Sequence, residues 1–174
     1  VDLALTGMLH VDGVADAADG LLPHLSRERR LAVMRAPDIG AFGVAAVGAA
    51  LLLQFAALAS MHREPLVVVG LWCASRSLVA SVPALVPYAR HDGIASTLLD
   101  GAPRWPALCA APAAAIAAIG AGRAGAAAVV VGVLAGAGVI AFAWRRIGGF
   151  TGDVLGAAIV VTQTVGLVVA AARW

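Results

Sequence analysis

From Ile39 to Met61 the chain carries a single strongly polar side chain, Gln54. A helix of about 20 apolar residues crosses a hydrocarbon core of roughly 30 Å, and within lipid only a helix or a closed barrel satisfies its own backbone amides. Four further runs have the same character: Pro65 to Tyr88, Pro106 to Gly122, Ala124 to Trp144 and Val154 to Ala172. The third is the shortest and the richest in alanine. The expected fold class is therefore all-α: a polytopic integral membrane helical bundle with about five transmembrane helices, forming one membrane-embedded domain over residues 1–174. Val1-Asp2-Leu3-Ala4-Leu5 reads as the tail of a helix already under way, so further N-terminal membrane helices are expected before it. Composition agrees: the 174 residues are 61% hydrophobic and 13% charged, with a mean hydropathy of +0.93. Soluble domains are nearer half apolar and a quarter charged. A disordered segment, a nucleic-acid module and an ordinary cytosolic enzyme are thereby excluded, and the partner implied is a lipid bilayer. Plentiful Ala and Gly suit helices that pack backbone to backbone in a membrane, and leave room for a homo-oligomer.

The scarce charges carry the rest of the information. All twelve basic residues are arginine, which reflects base-composition bias more than mechanism. Arg27, Arg29, Arg30 and Arg35 precede the first span, Arg90 and Arg104 lie between spans two and three, and Arg145 and Arg146 lie between four and five. The opposite face keeps Arg63, Arg123 and Arg173. Arginine-rich loops stay on the cytoplasmic side, so the first face is cytoplasmic in a bacterial inner (plasma) membrane. Arg27, Arg29 and Arg30, with Glu28 among them, read as a topogenic surface run. Eight of the ten acids fall on the same face, which the positive-inside rule does not require; chemistry on that face explains them. Cys73 and Cys109 sit in apolar runs with no CxxC or histidine partner and read as small buried hydrophobes. Trp72, Trp105, Trp144 and Trp174 read as interfacial anchors near span ends.

The densest polar feature is His10-Val11-Asp12-Gly13-Val14-Ala15-Asp16-Ala17-Ala18-Asp19-Gly20. Asp12, Asp16 and Asp19 fall at i, i+4 and i+7, within roughly 60° of one another on a helix. Carboxylates stacked on one stripe repel unless a cation lies among them, and hard oxygen ligands select Mg²⁺, Mn²⁺ or Ca²⁺. The plainer alternative is a solvated helix face. Gly13 and Gly20 point instead to close approach by a neighbouring helix or a ligand. His10 either orients a phosphate or fills a packing position.

These residues resemble the signature of the cobalamin (5′-phosphate) synthases, the adenosylcobinamide-GDP ribazoletransferases. The resemblance rests on His10-x-Asp12-Gly13-x-Ala15-Asp16-x-x-Asp19-Gly20, then Met34-Arg35 leading to Ile39-Gly40-x-x-Gly43, then Ser75-Arg76. It continues through Tyr88-Ala89-Arg90-x-x-Gly93-Ile94 to Gly148-Gly149-x-Thr151-Gly152-Asp153-x-Leu155-Gly156-Ala157. Ala36-Pro37-Asp38 departs from the family pattern, which places an acidic, a small and a basic residue there, so Asp38 takes no role from it. The resemblance implies a Mg²⁺-dependent phosphotransferase of cobalamin biosynthesis. It would join α-ribazole, or α-ribazole 5′-phosphate, to adenosylcobinamide-GDP and release GMP.

Such a transfer needs in-line attack and neutralised phosphate charge, as two-metal sites provide. Asp12, Asp16, Asp19 and Asp153 are the expected metal ligands and catalytic carboxylates, with one of them able to act instead as general base. His10, Arg35, Arg76, Arg90, Gly149, Thr151 and Gly152 are the expected substrate-binding residues, the glycines because a bare backbone approaches phosphate closely. An arginine deep in a span faces a cavity or a partner. Arg76 therefore either binds pyrophosphate as a bidentate fork or pairs with an aspartate of a neighbouring helix. Arg35 and Arg90 are explained by phosphate binding or by topology alone. Two other functions are weighed. A CDP-alcohol phosphotransferase wants arginine directly after the alanine, where Asp16 stands here. A non-enzymatic cation transporter predicts acids in mid-span, where only Arg76 is charged.

Overall fold

The computed structural model describes residues 6–61, 64–90, 108 and 110–172. In chain order its helices are α1 (Leu9–Leu21), α2 (Arg27–Val33), α3 (Ala41–Ser60), α4 (Pro65–Ser81), α5 (Ala110–Ile147) and α6 (Gly152–Ala171), with a 3-10 turn at Val82–Ala84 after α4. Four helical stretches are long and apolar enough to cross a membrane: Ala41–Ser60, Pro65–Ala84, Ala111–Ile147 and Gly152–Ala171. The expected all-α membrane bundle is what the chain forms.

Local chemistry sets the element boundaries. Pro65 opens α4, where a missing N–H leaves no bond unmade. Ser26 caps α2 by accepting from Arg29 N, and Thr151 caps α6 by accepting from Val154 N at 3.3 Å. α5 ends on Gly148 at φ +78°, the left-handed position that glycine fills at helix C-termini.

The third and fourth expected spans form a single element with a reversal inside it. A straight helix over the 38 residues of α5 would run roughly 57 Å at about 1.5 Å per residue, nearly twice the hydrocarbon thickness. Instead the helix breaks at Ala121 and Gly122, the latter at φ +59°. A Cβ on Gly70 of α4 would touch Ala113 and Ala117, and one on Gly120 would touch Leu66 and Val67. The first limb of α5 thus runs antiparallel to α4. Gly136 faces Leu78 and Ala158, and Gly132 faces Thr162 and Gly166. The second limb therefore runs with α4 and against α6. The limbs form a hairpin, and Gly125 lies against the Ala117 carbonyl across it. Ala110 to Gly120 spans only about 16 Å, about half a bilayer core; Pro106, Ala107 and Cys109 of that expected span lie outside the described residues.

Small residues set the interhelical distances. A Cβ at Gly132 would lie 2.5 Å from the Thr162 carbonyl oxygen, and one at Gly166 would lie 3.0 Å from the Ala128 carbonyl. Two apolar clusters result. One, near the α1 end of the bundle, holds Val14, Leu21, Met34, Ile147, Phe150 and Val154. The other holds Ala57, Val67, Leu71, Ala113, Val129 and Leu167. α3 contributes little to either, since only Gly43 and Ala57 are buried in it. Leu52 (70% exposed) and Phe55 (74% exposed) project outward, as expected of a helix facing lipid.

Three expectations are corrected here. Cys73 is exposed rather than buried, on a face suited to lipid. Trp72 lies in the body of α4, where it stacks on Arg76 (below), so it is not an interfacial anchor. The Arg27–Arg30 run is not simply a surface feature. Arg30 is buried and donates to the carbonyls of Gly20 (2.9 Å) and Leu21 (2.7 Å), closing the C-terminus of α1. Arg27 donates to the Ile147 (2.8 Å) and Ala89 (3.0 Å) carbonyls, tying two loops together.

Gly132→Val should lower stability by about 1–3 kcal/mol, the usual magnitude for overpacking. Gly138→Ala, where no atom lies within 4 Å of the new Cβ, should stay within about 0.5 kcal/mol of the parent. Unfolding transitions of the two variants in detergent check this.

Candidate active site

α1 reaches α6 through two glycines. A Cβ at Gly13 would lie 2.8 Å from the Asp153 carbonyl oxygen and 3.3 Å from the Gly156 Cα, and a Cβ at Gly156 would lie 3.3 Å from the His10 Cα. This crossing sets the turn that carries Asp12 and Asp16 against the N-terminus of α6, which carries Asp153. Asp12 is exposed, whereas Asp16, Asp19 and Asp153 are half-buried. Asp16 has the most perturbed carboxyl. Burial first, then the charges of Asp153 and Asp12, raise its pKa from 3.8 to about 6; Arg90 opposes the shift, and Asp19 adds least.

Asp153 is held by two neighbours. Arg90 Nη2 donates to its Oδ2 at 2.7 Å, and Thr151 Oγ1 donates to the same oxygen at 3.2 Å. Arg90 is placed by a short backbone pairing between two loops. Phe150 N donates to the Pro87 carbonyl (3.0 Å) and Ala89 N to the Phe150 carbonyl (2.8 Å), while the Tyr88 and Phe150 rings meet edge to face at 5.4 Å. Gly149 is buried and its missing side chain makes room for the Pro87 carbonyl. The bare Gly149 backbone thus serves a contact between the two loops. Gly152 is different: it opens α6 with nothing within 4 Å of its Cβ position, so a phosphate has room there. Arg90 Nε is buried and has no partner among the described residues.

Asp19 faces away from the other acids. Its Oδ2 accepts from Gly40 N at 2.6 Å and its Oδ1 from Gly43 N at 2.9 Å, at the N-terminus of α3. Arg35 is exposed on the segment leading to that terminus. Among the described residues no three His, Cys, Asp or Glu side chains converge as a metal shell. The carboxylates are drawn apart, Asp19 onto α3 and Asp153 onto Arg90.

His10 and Arg76 lie deeper. His10 lines a cavity of about 20 Å³ with Gln54, Val160 and Gln163. Arg76 Nη1 donates to Ser75 Oγ at 3.0 Å, and its guanidinium lies 4.3 Å from the Trp72 ring centroid. With its amide oxygen turned to face these donors, Gln163 accepts from Arg76 and from Trp72 Nε1, the latter at 3.3 Å. Gln54 Nε2 donates to Thr164 Oγ1 at 2.8 Å. A polar junction thus joins α3, α4 and α6 in mid-span. Ten residues of α6 separate Gln163, which accepts from Arg76, from Asp153, roughly 15 Å along the helix. Gln163 and Thr164 are not singled out from sequence, and Trp72 reads there only as an interfacial anchor. The available signal was that polar groups within spans are expensive and need partners.

The comparisons with known proteins agree with these motifs. A family model described as cobalamin-5-phosphate synthase matches residues 1–171. The chain is 41% identical over 177 aligned residues to an adenosylcobinamide-GDP ribazoletransferase of Bradyrhizobium diazoefficiens, covering 97% of this chain and 66% of that protein. Proteins of the same name from Ralstonia nicotianae (39% identical; 90% of this chain, 63% of that one) and Mesorhizobium japonicum (36%; 95% and 65%) are also similar. The chain spans about two thirds of the length of these relatives. No solved structure matches.

The raised pKa of Asp16 has a signed consequence. Folding disfavours its ionised form, so in metal-free protein stability falls as pH rises from about 4 to about 6 and is level above. Asp16→Asn should therefore stabilise metal-free protein above pH 6 and leave it unchanged below pH 4. Paired unfolding curves across that range check the sign.

Proposed function

The chain belongs to the cobalamin-5-phosphate synthase family, and we propose that its acidic end joins α-ribazole, or α-ribazole 5′-phosphate, to adenosylcobinamide-GDP with release of GMP. The observation that carries this reading is the crossing at Gly13 and Gly156. It sets carboxylates from residues 12–16 beside Asp153, Thr151 and Arg90, so two distant segments share one charged site.

In the reaction a ribazole hydroxyl oxygen attacks the phosphorus that bears the cobinamide. The new phosphodiester bond forms as the bond to the GMP oxygen breaks, GMP leaves as an anion, and the hydroxyl proton passes to a carboxylate of the site. Arg90, anchored through Nη2 on Asp153, turns its remaining N–H groups towards the pyrophosphate. The open N-terminus of α6 at Gly152 takes phosphate oxygens, as helix N-termini do. Thr151 keeps α6 capped and Asp153 oriented.

Mg²⁺ suits the oxygen chemistry of these carboxylates, although among the described residues no three of them converge as a ready metal shell. Asp12, Asp16 and Asp153 are hard oxygen donors, and burial first, then the charges of Asp153 and Asp12, raise the pKa of Asp16. They would hold the ion. When bound it neutralises charge at the reacting phosphates.

The arginine-bearing segments 27–35, 90 and 145–146 lie at the same end as the acids. That distribution supports an active site facing the cytoplasm of a bacterial inner membrane.

With full-length protein in nanodiscs, product should form only with divalent cation present. Asp16→Asn and Asp153→Asn should each lower kcat by about 100-fold or more. Full activity in both variants overturns the reading. For topology, an impermeant maleimide should label Ser26→Cys, in a Cys73→Ala, Cys109→Ala background, only after the membrane is opened.

A further inference from the structure

Asp19 shares a helical stripe with Asp12 and Asp16, yet its carboxylate is already committed. Both of its oxygens accept backbone N–H groups, from Gly40 and Gly43, at 2.6 and 2.9 Å. The two glycines form a cradle cut to that carboxylate: a Cβ on either would collide with an Asp19 oxygen. The N-terminus of α3 has no cap of its own, because Gly40 is its N-cap residue and has no side chain to offer. The orphan amides of a helix start need an acceptor, and Asp19 supplies one across the helix–helix contact.

We propose that Asp19 is a positioning residue, which fastens α1 to the start of α3, and is not itself a ligand of the cation. The proposal rests on the reading of the site given above. Asp19 stands one helical turn beyond Asp16, so holding it fixes the rotation of the turn that presents Asp16. Arg30 closes the following turn from the other side through the Gly20 and Leu21 carbonyls. The last turn of α1 is thereby clamped twice. The same link anchors the exposed segment that carries Arg35.

Asp19→Asn leaves one oxygen to accept and turns an NH₂ group against the second amide. Gly40→Ala pushes a methyl group into the Asp19 carboxylate while leaving all the acidic side chains in the sequence. Two readouts on full-length protein separate the roles. In hydrogen exchange, the amides of Gly40 and Gly43 should exchange about fivefold or more faster in Asp19→Asn, as loss of a cap predicts, and stay protected in Asp16→Asn. In Mn²⁺ titration followed by EPR, Asp16→Asn should weaken binding about tenfold or more, while Asp19→Asn and Gly40→Ala should stay near the parent. Activity lost in Asp19→Asn should be a loss in kcat that added Mg²⁺ does not restore. If Asp19→Asn weakens Mn²⁺ as Asp16→Asn does and added Mg²⁺ restores its turnover, Asp19 is a ligand and the proposal is overturned. If the parent protein binds no Mn²⁺, the cation reading fails by itself, and unchanged exchange at Gly40 and Gly43 would still refute the clamp.

Discussion

The acidic site in this bundle depends on how closely α1 can lie against α6. Gly13 and Gly156 remove both side chains from the crossing, so the Asp153 carbonyl occupies the space next to a Cβ that Gly13 lacks. A β-carbon at Gly13 would lie 2.8 Å from that carbonyl oxygen, so the helices would have to shift and move Asp12 and Asp16 relative to Asp153 and Arg90. Hydrophobic driving force between helices is weak in lipid, and packing contacts replace it. Site geometry and helix association are therefore one requirement, met by the same glycines.

The segments that resemble family motifs become pairs in space. Asp19 belongs to the first motif and Gly40-x-x-Gly43 to the second; together they make one capping contact. Arg90 of the central loop and Asp153 of the last motif make one ion pair, and Gly149 exists for the carbonyl of Pro87. The membrane class and the acidic stripe were legible because hydropathy and helical period act locally. The partner of each motif was not, because one chain records no spatial pairing.

The same limit explains what the sequence hid. Arg30 looks like its neighbours Arg27 and Arg29, and nothing local separates a topogenic arginine from one buried against two carbonyls. The break at Gly122 was visible as a span boundary, but the packing of its short Ala-rich limb against α4 depends on Gly70 and Gly120. Gln163 hid inside a strongly apolar run, where one amide barely lowers the mean.

The mid-span junction has a consequence for how the protein is made. α4 enters the bilayer bearing Arg76, at a penalty of about 2.5–3.5 kcal/mol on insertion scales. Its amide partner on α6 follows Ser75 by 88 positions, roughly 4–18 s of synthesis at about 5–20 residues per second. During that interval the guanidinium has Ser75 and Trp72 of its own helix beside it but not Gln163. α4 is thus a guest awaiting its host, and biogenesis must shelter it, in the insertion machinery or at the interface, until α6 arrives.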